Sequence, residues 1–326
     1  MTRLDLYNGI ALVVSMLASV TAAGGMHMPA EVRVEQVAPR AKPIAEVALS
    51  GGRRGIRDAS GVVAPLSHYR RIASASLIAD HVLWELCEPG RLIAVSQRTK
   101  QSVHFGHRHR ERAAITSPAD LELILALDPD LLFINHFGDP RYAARLRDHG
   151  IVVFDLGEMR GVETLLPNIR VIGALLDQPA RADALAQRFE RRLHAVATGL
   201  PPGDRPRALY LSTYGKQLYG GASHTSYDDV LRHAGLVNVA APLHRGWPAL
   251  SPEQVLSMDP EVLVTKRAMG AELCRFPGLE RLRPCRGQGR IAELDAELID
   301  DPGLPILDVT EALHAQVYER TVGARR

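Results

Sequence analysis

From Arg71 onward the chain alternates short, nearly continuous apolar runs with stretches whose apolar residues recur every three or four positions. RIASAS (71–76) leads into LIADHVLWELC, and LIAVS (92–96) is followed by a polar loop and then by DLELILALDPDLLFIN (120–135). PRYAARLRDHG and IVVFDL (151–156) complete this first series. Unbroken apolar strands set between helices belong to a parallel sheet covered on both faces. The pattern then becomes helical: Leu185, Phe189, Leu193 and Val196 share one stripe, and Gly199, Pro201 and Pro202 stop it. About 20 helical residues make a rod of roughly 30 Å, long enough to reach across two lobes. RALYLS (207–212), YDDVLRHAG and LVNVAA then restart the alternation. The expected class is α/β, with two similar parallel-sheet lobes joined by one long rigid helix and a ligand cleft between them.

One phrase occurs in both halves. SPEQVLSMDPEVLVTK (251–266) repeats the 120–135 stretch, with Glu253 answering Glu122, Asp259 answering Asp128 and Pro260 answering Pro129. Asp120 and Ser251 stand where a helix N-cap is wanted, Pro252 suits the first turn, and Gln254 completes a capping box with Ser251. Each Asp-Pro ends a helix before the next strand. A glutamate near a helix N-terminus gains a few tenths to about 1 kcal/mol from the dipole, which is one reason to place Glu122 and Glu253 there.

The N-terminus changes the picture of where the protein works. Arg3, an apolar run from Ile10 to Val20 and the small residues of VTAAGG have the order of a secretory signal. The run is too short to span a bilayer comfortably, and no cysteine stands at the cleavage site to carry a lipid. The expected organisation is a signal peptide over 1–22, a leader of little fixed structure over 23–67, a first lobe over 68–165, an interlobe helical segment over 166–202 and a second lobe over 203–326. Export to the periplasm follows from the signal. The 326 residues are 46% hydrophobic and carry a net charge of only +2, with no basic stripe for nucleic acid. Of the three cysteines, Cys87 reads as a core residue. Cys274 and Cys285 bracket a short loop that a disulfide would close in an oxidising compartment, unless they remain two thiols.

RIASAS and its helix, DLELILALDPDLLF, GIVVFDL, YGGASHTSYDDVLRHAGLVNVA and GWPALSPEQVLSMDPEVLV come in one order and spacing. Together they resemble the periplasmic substrate-binding proteins of ABC importers for iron-siderophores, haem and cobalamin, over about Arg70 to Asp308. The resemblance implies two lobes bridged by a rigid helix, and an exposed glutamate on each lobe that docks on the importer's permease dimer. Glu122 and Glu253 stand at those positions, and a two-fold partner suits two glutamates.

Ligands of parallel sheets collect at the carboxyl ends of strands. In the first lobe that points to the long loop SQRTKQSVHFGHRHRERAAITSP (96–118), with His104, Phe105, His107 and His109, and to His136 and Phe137 after LLFIN. The histidines either ligate metal, touch a planar ligand or form a solvated basic surface. In the second lobe it points to Tyr214, Tyr219, Arg245 and Trp247, and to Lys266 and Arg267 after VLVTK. The resemblance places a tryptophan against cobalamin at the Trp247 position; otherwise Trp247 would lie in the core beneath its loop. Arg245, Lys266 and Arg267 would suit ligand carboxylates. A Tyr-Pro element common in relatives is missing from the first-lobe loop, which leaves the ligand class open. Nothing matches GxSxG, HExxH, a P-loop or GxGxxG in its structural context, so no enzyme activity and no cofactor is expected beyond an iron or cobalt chelate carried as ligand. The expected protein is a monomeric receptor that hands this chelate to a permease. The alternative is a receptor for a free transition-metal ion held by the loop histidines.

Overall fold

The computed structural model describes residues 44–135, 140–200 and 203–319. The expected signal (1–22), the first part of the expected leader, His136 and Phe137 lie outside the described residues.

The first lobe is built on a five-stranded sheet of β4 (Ile72–Ser74), β5 (Leu92–Ser96), β6 (Ala113–Ile115), β7 (Leu131–Ile134) and β8 (Val152–Asp155), in the order β6-β5-β4-β7-β8. Every pairing is parallel. The order changes direction between β4 and β7, so the carboxyl ends of these two strands flank the crevice where β4 leads into helix Leu77–Leu86. The second lobe repeats parallel pairing among β9 (Arg207–Tyr214), β11 (Val237–Asn238), β13 (Val262–Lys266) and β14 (Arg290–Leu294). It departs from the expected all-parallel sheet at one edge, where β10 (Gln217–Gly220) and β12 (Ala249–Leu250) run antiparallel. The cause is the two-residue turn Gly215-Lys216, with Gly215 at φ +60°. Glycine reaches that region without steric cost, so the chain doubles back as a hairpin.

The repeated phrase is architecture in both lobes. Asp120 accepts from the Leu123 N–H at 3.2 Å and Ser251 forms its capping box with Gln254, starting helices Leu121–Leu127 and Pro252–Met258. Both helices end on a left-handed aspartate, Asp128 (φ 46°) and Asp259 (φ 41°). An arginine at the start of the adjacent strand then closes each helix: Arg71 donates to the Leu127 and Asp128 carbonyls, and Arg207 to that of Met258. The acids that follow, Asp130 and Glu261, accept from the backbone N–H groups of Arg71 and Arg207.

The expected long rod is helix Pro179–Thr198, and a second helix packs along it in the interlobe segment. Helix Val162–Leu175 turns at Asp177 and folds back on helix Pro179–Thr198. Gly173 permits the approach, because a Cβ there would stand 2.1 Å from that of Ala182. Leu185, Phe189 and Leu193 of the long helix are buried, and Val196 is half-buried. Its arginines reach both lobes in turn. Arg181 donates to the Glu85 carbonyl (2.7 Å), Arg188 pairs with Glu85 (3.2 Å), and Arg192 pairs with Glu311 (2.8 Å) on the second lobe's helix Ile306–His314.

A further expectation is corrected. Within the expected leader, β1 (Ala45–Ala48), β2 (Arg54–Arg57) and β3 (Val63–Pro65) form a small antiparallel sheet. Ile56 and Ala64 enter the main core, and buried Asp58 accepts from the Asp155 N–H (3.2 Å) and pairs with Arg147 (3.1 Å). This order comes from tertiary bonds to one acid, which leave no periodicity in the sequence. Trp84, on helix Leu77–Leu86, is 39% exposed beneath Arg108 and Arg112.

Cys274 and Cys285 form a disulfide, and Cys87 is a buried free thiol. The bridge closes a loop with a sequence separation of 11, and removing so short a closure is expected to lower stability by about 2–3 kcal/mol. Thermal unfolding of the Cys274→Ser, Cys285→Ser double variant, beside the oxidised protein, measures it.

Candidate functional site

The second lobe gathers most of its candidates around one cavity of about 320 Å³. The β9–β10 hairpin contributes Tyr214 and Tyr219, the loop before β12 contributes Trp247, and the end of β13 contributes Lys266. Tyr214 is 82% and Trp247 56% exposed, so both stand at the rim and Trp247 is not a core residue. The floor holds two residues that sequence reasoning missed, Tyr210 on β9 and Tyr227 on helix Ser226–His233. Their rings stack at 3.9 Å with an interplanar angle of 14°, and Trp247 meets Tyr227 edge-on at 6.5 Å. A cluster of aromatic planes around an open hollow suits a flat, partly apolar ligand.

The polar part of this floor is organised by Asp300. One carboxylate oxygen accepts from the Tyr227 hydroxyl at 2.8 Å and the other from Lys266 Nζ at 2.6 Å. Burial, with Tyr210 and Asp300 nearby, pushes the Tyr227 hydroxyl well above the usual tyrosine range, so it stays a donor. Two expected cations are not part of the described wall. Arg245 bonds His224 Nε2 at 2.7 Å, and Arg267 points into solvent 4.0 Å from Asp295.

The first-lobe loop does something other than form a metal site. It folds as helix Gln97–Gln101 and a 3-10 turn over Gly106–His109. His104 turns to Asp295 of the second lobe at 3.1 Å, His107 is exposed, and His109 is buried edge-on against Trp84 at 5.3 Å. Burial first, then Arg112, pushes His109 down to about 4, so it is neutral near pH 7. The three imidazoles thus face three different surroundings. Among the described residues no three His, Cys, Asp or Glu side chains converge as a metal site. Phe105 packs edge-on against His81 at 4.5 Å rather than at the cavity.

These contacts belong to the seam between the lobes, and one acidic segment of the second lobe supplies them. Asp295 meets His104, Glu297 accepts from Ser102 Oγ and the Val103 N–H (3.1 Å for the latter), and Asp301 meets buried His81 Nε2 at 2.7 Å. Asp300 lies within this segment, so the cavity floor is continuous with the seam. A second hollow of about 210 Å³ lies along the long helix, but Arg188 and Arg192 on its edge are already paired with Glu85 and Glu311.

On the first-lobe side, Asp80 fixes the start of the long loop. Its Oδ2 accepts from the Ser96 N–H (3.0 Å), Ser96 Oγ (2.5 Å) and Thr99 Oγ1 (2.7 Å). Burial pushes its carboxyl up to about 6, against the pull of those hydrogen bonds and of His81. The folded protein therefore holds this proton more tightly than the unfolded chain. The stabilising contribution is fully present below about pH 3.8 and is lost as pH rises through about 6. Urea unfolding across that window should show this loss in the wild type and not in Asp80→Asn.

Comparison with known proteins adds kinship to this geometry. The sequence model of a family described as "Periplasmic binding protein" matches residues 114–303. A cobalamin-binding protein of Halobacterium salinarum is 29% identical over 213 residues, which are 64% of this chain and 57% of that protein. The match thus spans little more than half of this relative. A vitamin B12-binding protein of Vibrio parahaemolyticus is 26% identical over 242 residues, 74% of this chain and 83% of the relative. Among solved structures, a periplasmic haem-binding protein of Pseudomonas aeruginosa superposes with a TM-score of 0.63 at 26% identity, over 77% of this chain and 93% of the other. The periplasmic vitamin B12-binding protein of Vibrio cholerae gives 0.62 at 23% identity over 77% and 98%, a likeness of fold.

Proposed function

Because this chain belongs to the periplasmic binding protein family, whose sequence model covers residues 114–303, we propose that it is a non-catalytic periplasmic receptor for a large metal chelate of the haem, corrinoid or siderophore kind. The observation that carries this reading is the aromatic cavity of Tyr210, Tyr219, Tyr227 and Trp247 beside the interlobe seam. A macrocycle laid on these rings buries apolar area, while its edges meet hydroxyls and the Lys266–Asp300 pair. Relatives named for cobalamin, vitamin B12 and haem bind ligands of that shape. No helix among the described residues is long and apolar enough to cross a membrane. The free-metal alternative receives no support from the histidines, which the fold separates.

The chelate screen follows directly. Haemin, cobalamin, and ferric hydroxamate and catecholate siderophores are offered to the purified protein by calorimetry, with Zn²⁺ as the free-ion control. One chelate should bind saturably, and Trp247→Ala should weaken it by about tenfold or more, as for a central aromatic anchor. Response to Zn²⁺ alone would overturn this reading.

Delivery to an ABC importer forms the second half of the proposal. Glu122 and Glu253 are exposed on the first turns of corresponding helices, one per lobe. Hydrogen bonding within its own turn, Ser251 first, holds the Glu253 carboxyl below its ordinary range and hence charged. Charge reversal at either position should leave chelate affinity unchanged and reduce uptake by a reconstituted importer about tenfold or more. Loss of chelate binding in these variants would count against a docking role.

A further inference from the structure

The cavity floor carries a charge arrangement that bears on which chelates fit, given the ligand site placed there above. Among the described residues Lys266 is the cation lining this wall, and its ammonium lies 2.6 Å from Asp300, each side chain only a quarter exposed. The second oxygen of Asp300 is held by the Tyr227 hydroxyl at 2.8 Å. Beside it, Tyr210 is 3% exposed and its hydroxyl has no hydrogen-bond partner among the described residues. Ser212 and Thr213 add neutral hydroxyls to the same wall.

Asp300 cannot swing aside cheaply. Its neighbour Asp301 is buried in the contact with His81 at 2.7 Å, and Leu298 and Ile299 just before it pack into the core. The floor therefore offers a compensated ion pair and neutral hydroxyls. A ligand edge bearing amides or hydroxyls meets these groups without disturbing them. A carboxylate edge either takes Lys266 from Asp300, leaving a shielded carboxylate without its cation, or lies beside Asp300 as a like charge. Both cost affinity.

We infer that Asp300 is a specificity-determining residue that admits the neutral, amide- or hydroxyl-bearing edge of a metal chelate to this cavity and disfavours a carboxylate-bearing edge. The selection works by repulsion as much as by attraction, which is how sites separate ligands of one shape.

The test uses ligands matched in shape and differing in charge: cyanocobalamin with its monocarboxylic acid derivatives, and haemin with its bis-amide. Dissociation constants are measured by calorimetry near pH 7 for the full chain, Asp300→Asn and Lys266→Gln, with melting temperature and circular dichroism to verify folding. In the wild type the amide member of a bound pair should be about tenfold tighter or more. Asp300→Asn should reduce that ratio to about twofold, mainly by gaining affinity for the acid, since Lys266 is released. Lys266→Gln, which leaves Asp300 uncompensated, should widen the ratio and serves alone if Asp300→Asn does not fold. Equal binding of both members by the wild type, or a ratio unchanged in the folded variants, overturns the inference while leaving the receptor reading intact. Failure of every chelate to bind the wild type overturns both.

Discussion

A buried imidazole and a buried carboxylate 2.7 Å apart, His81 and Asp301, hold the arrangement on which the rest of this molecule depends. Left buried without a hydrogen-bonding partner, either group would cost on the order of 1–3 kcal/mol. Each lobe thus carries half of a requirement that only the other lobe satisfies. Around this pair Asp295 and Glu297 add polar contacts to the loop at 102–104, and the long helix adds arginines that reach first one lobe and then the other. The relative placement of the lobes is set by paired polar groups at the seam and apolar packing of Leu185, Phe189 and Leu193 behind it.

The acidic segment DAELIDD (295–301) joins two tasks that are usually described apart. Asp301 fixes the seam, while Asp300, one residue earlier, orders Tyr227 and Lys266 at the cavity. The shape of the site is thereby tied to the shape of the whole. Anything that displaces Asp300 strains a contact between lobes, and anything that parts the lobes loosens the cavity floor.

Much of this was legible in local pattern. Alternating runs and stripes disclosed the two lobes, and caps at Asp120 and Ser251 marked equivalent helices. The cavity residues Tyr214, Tyr219, Trp247 and Lys266 could be found because strand ends gather ligands in parallel sheets. What stayed hidden is what distance in sequence conceals. Asp300 looked like one more acid in a polar run, and Tyr210 like an ordinary strand residue. The first-lobe histidines looked like a cluster because they are close in the chain, and the fold sends them to Asp295, to solvent and to Trp84. The small sheet before β4 has no period to read, since Asp58 orders it through bonds to Arg147 and Asp155. The Gly215-Lys216 turn was visible in principle, as a glycine between two β-type runs.

The partner of His81 arrives late. It stands 220 residues downstream in the chain, so during synthesis or threading the first lobe has all its strands long before it has its last interior contact. Closing so long a loop is slow and gains nothing until it is complete. Until the segment around Asp301 has emerged, helix Leu77–Leu86 holds its apolar contacts while His81 lacks its partner. Time, as well as geometry, is written into that pairing: the molecule becomes fully itself only near the end of its own making.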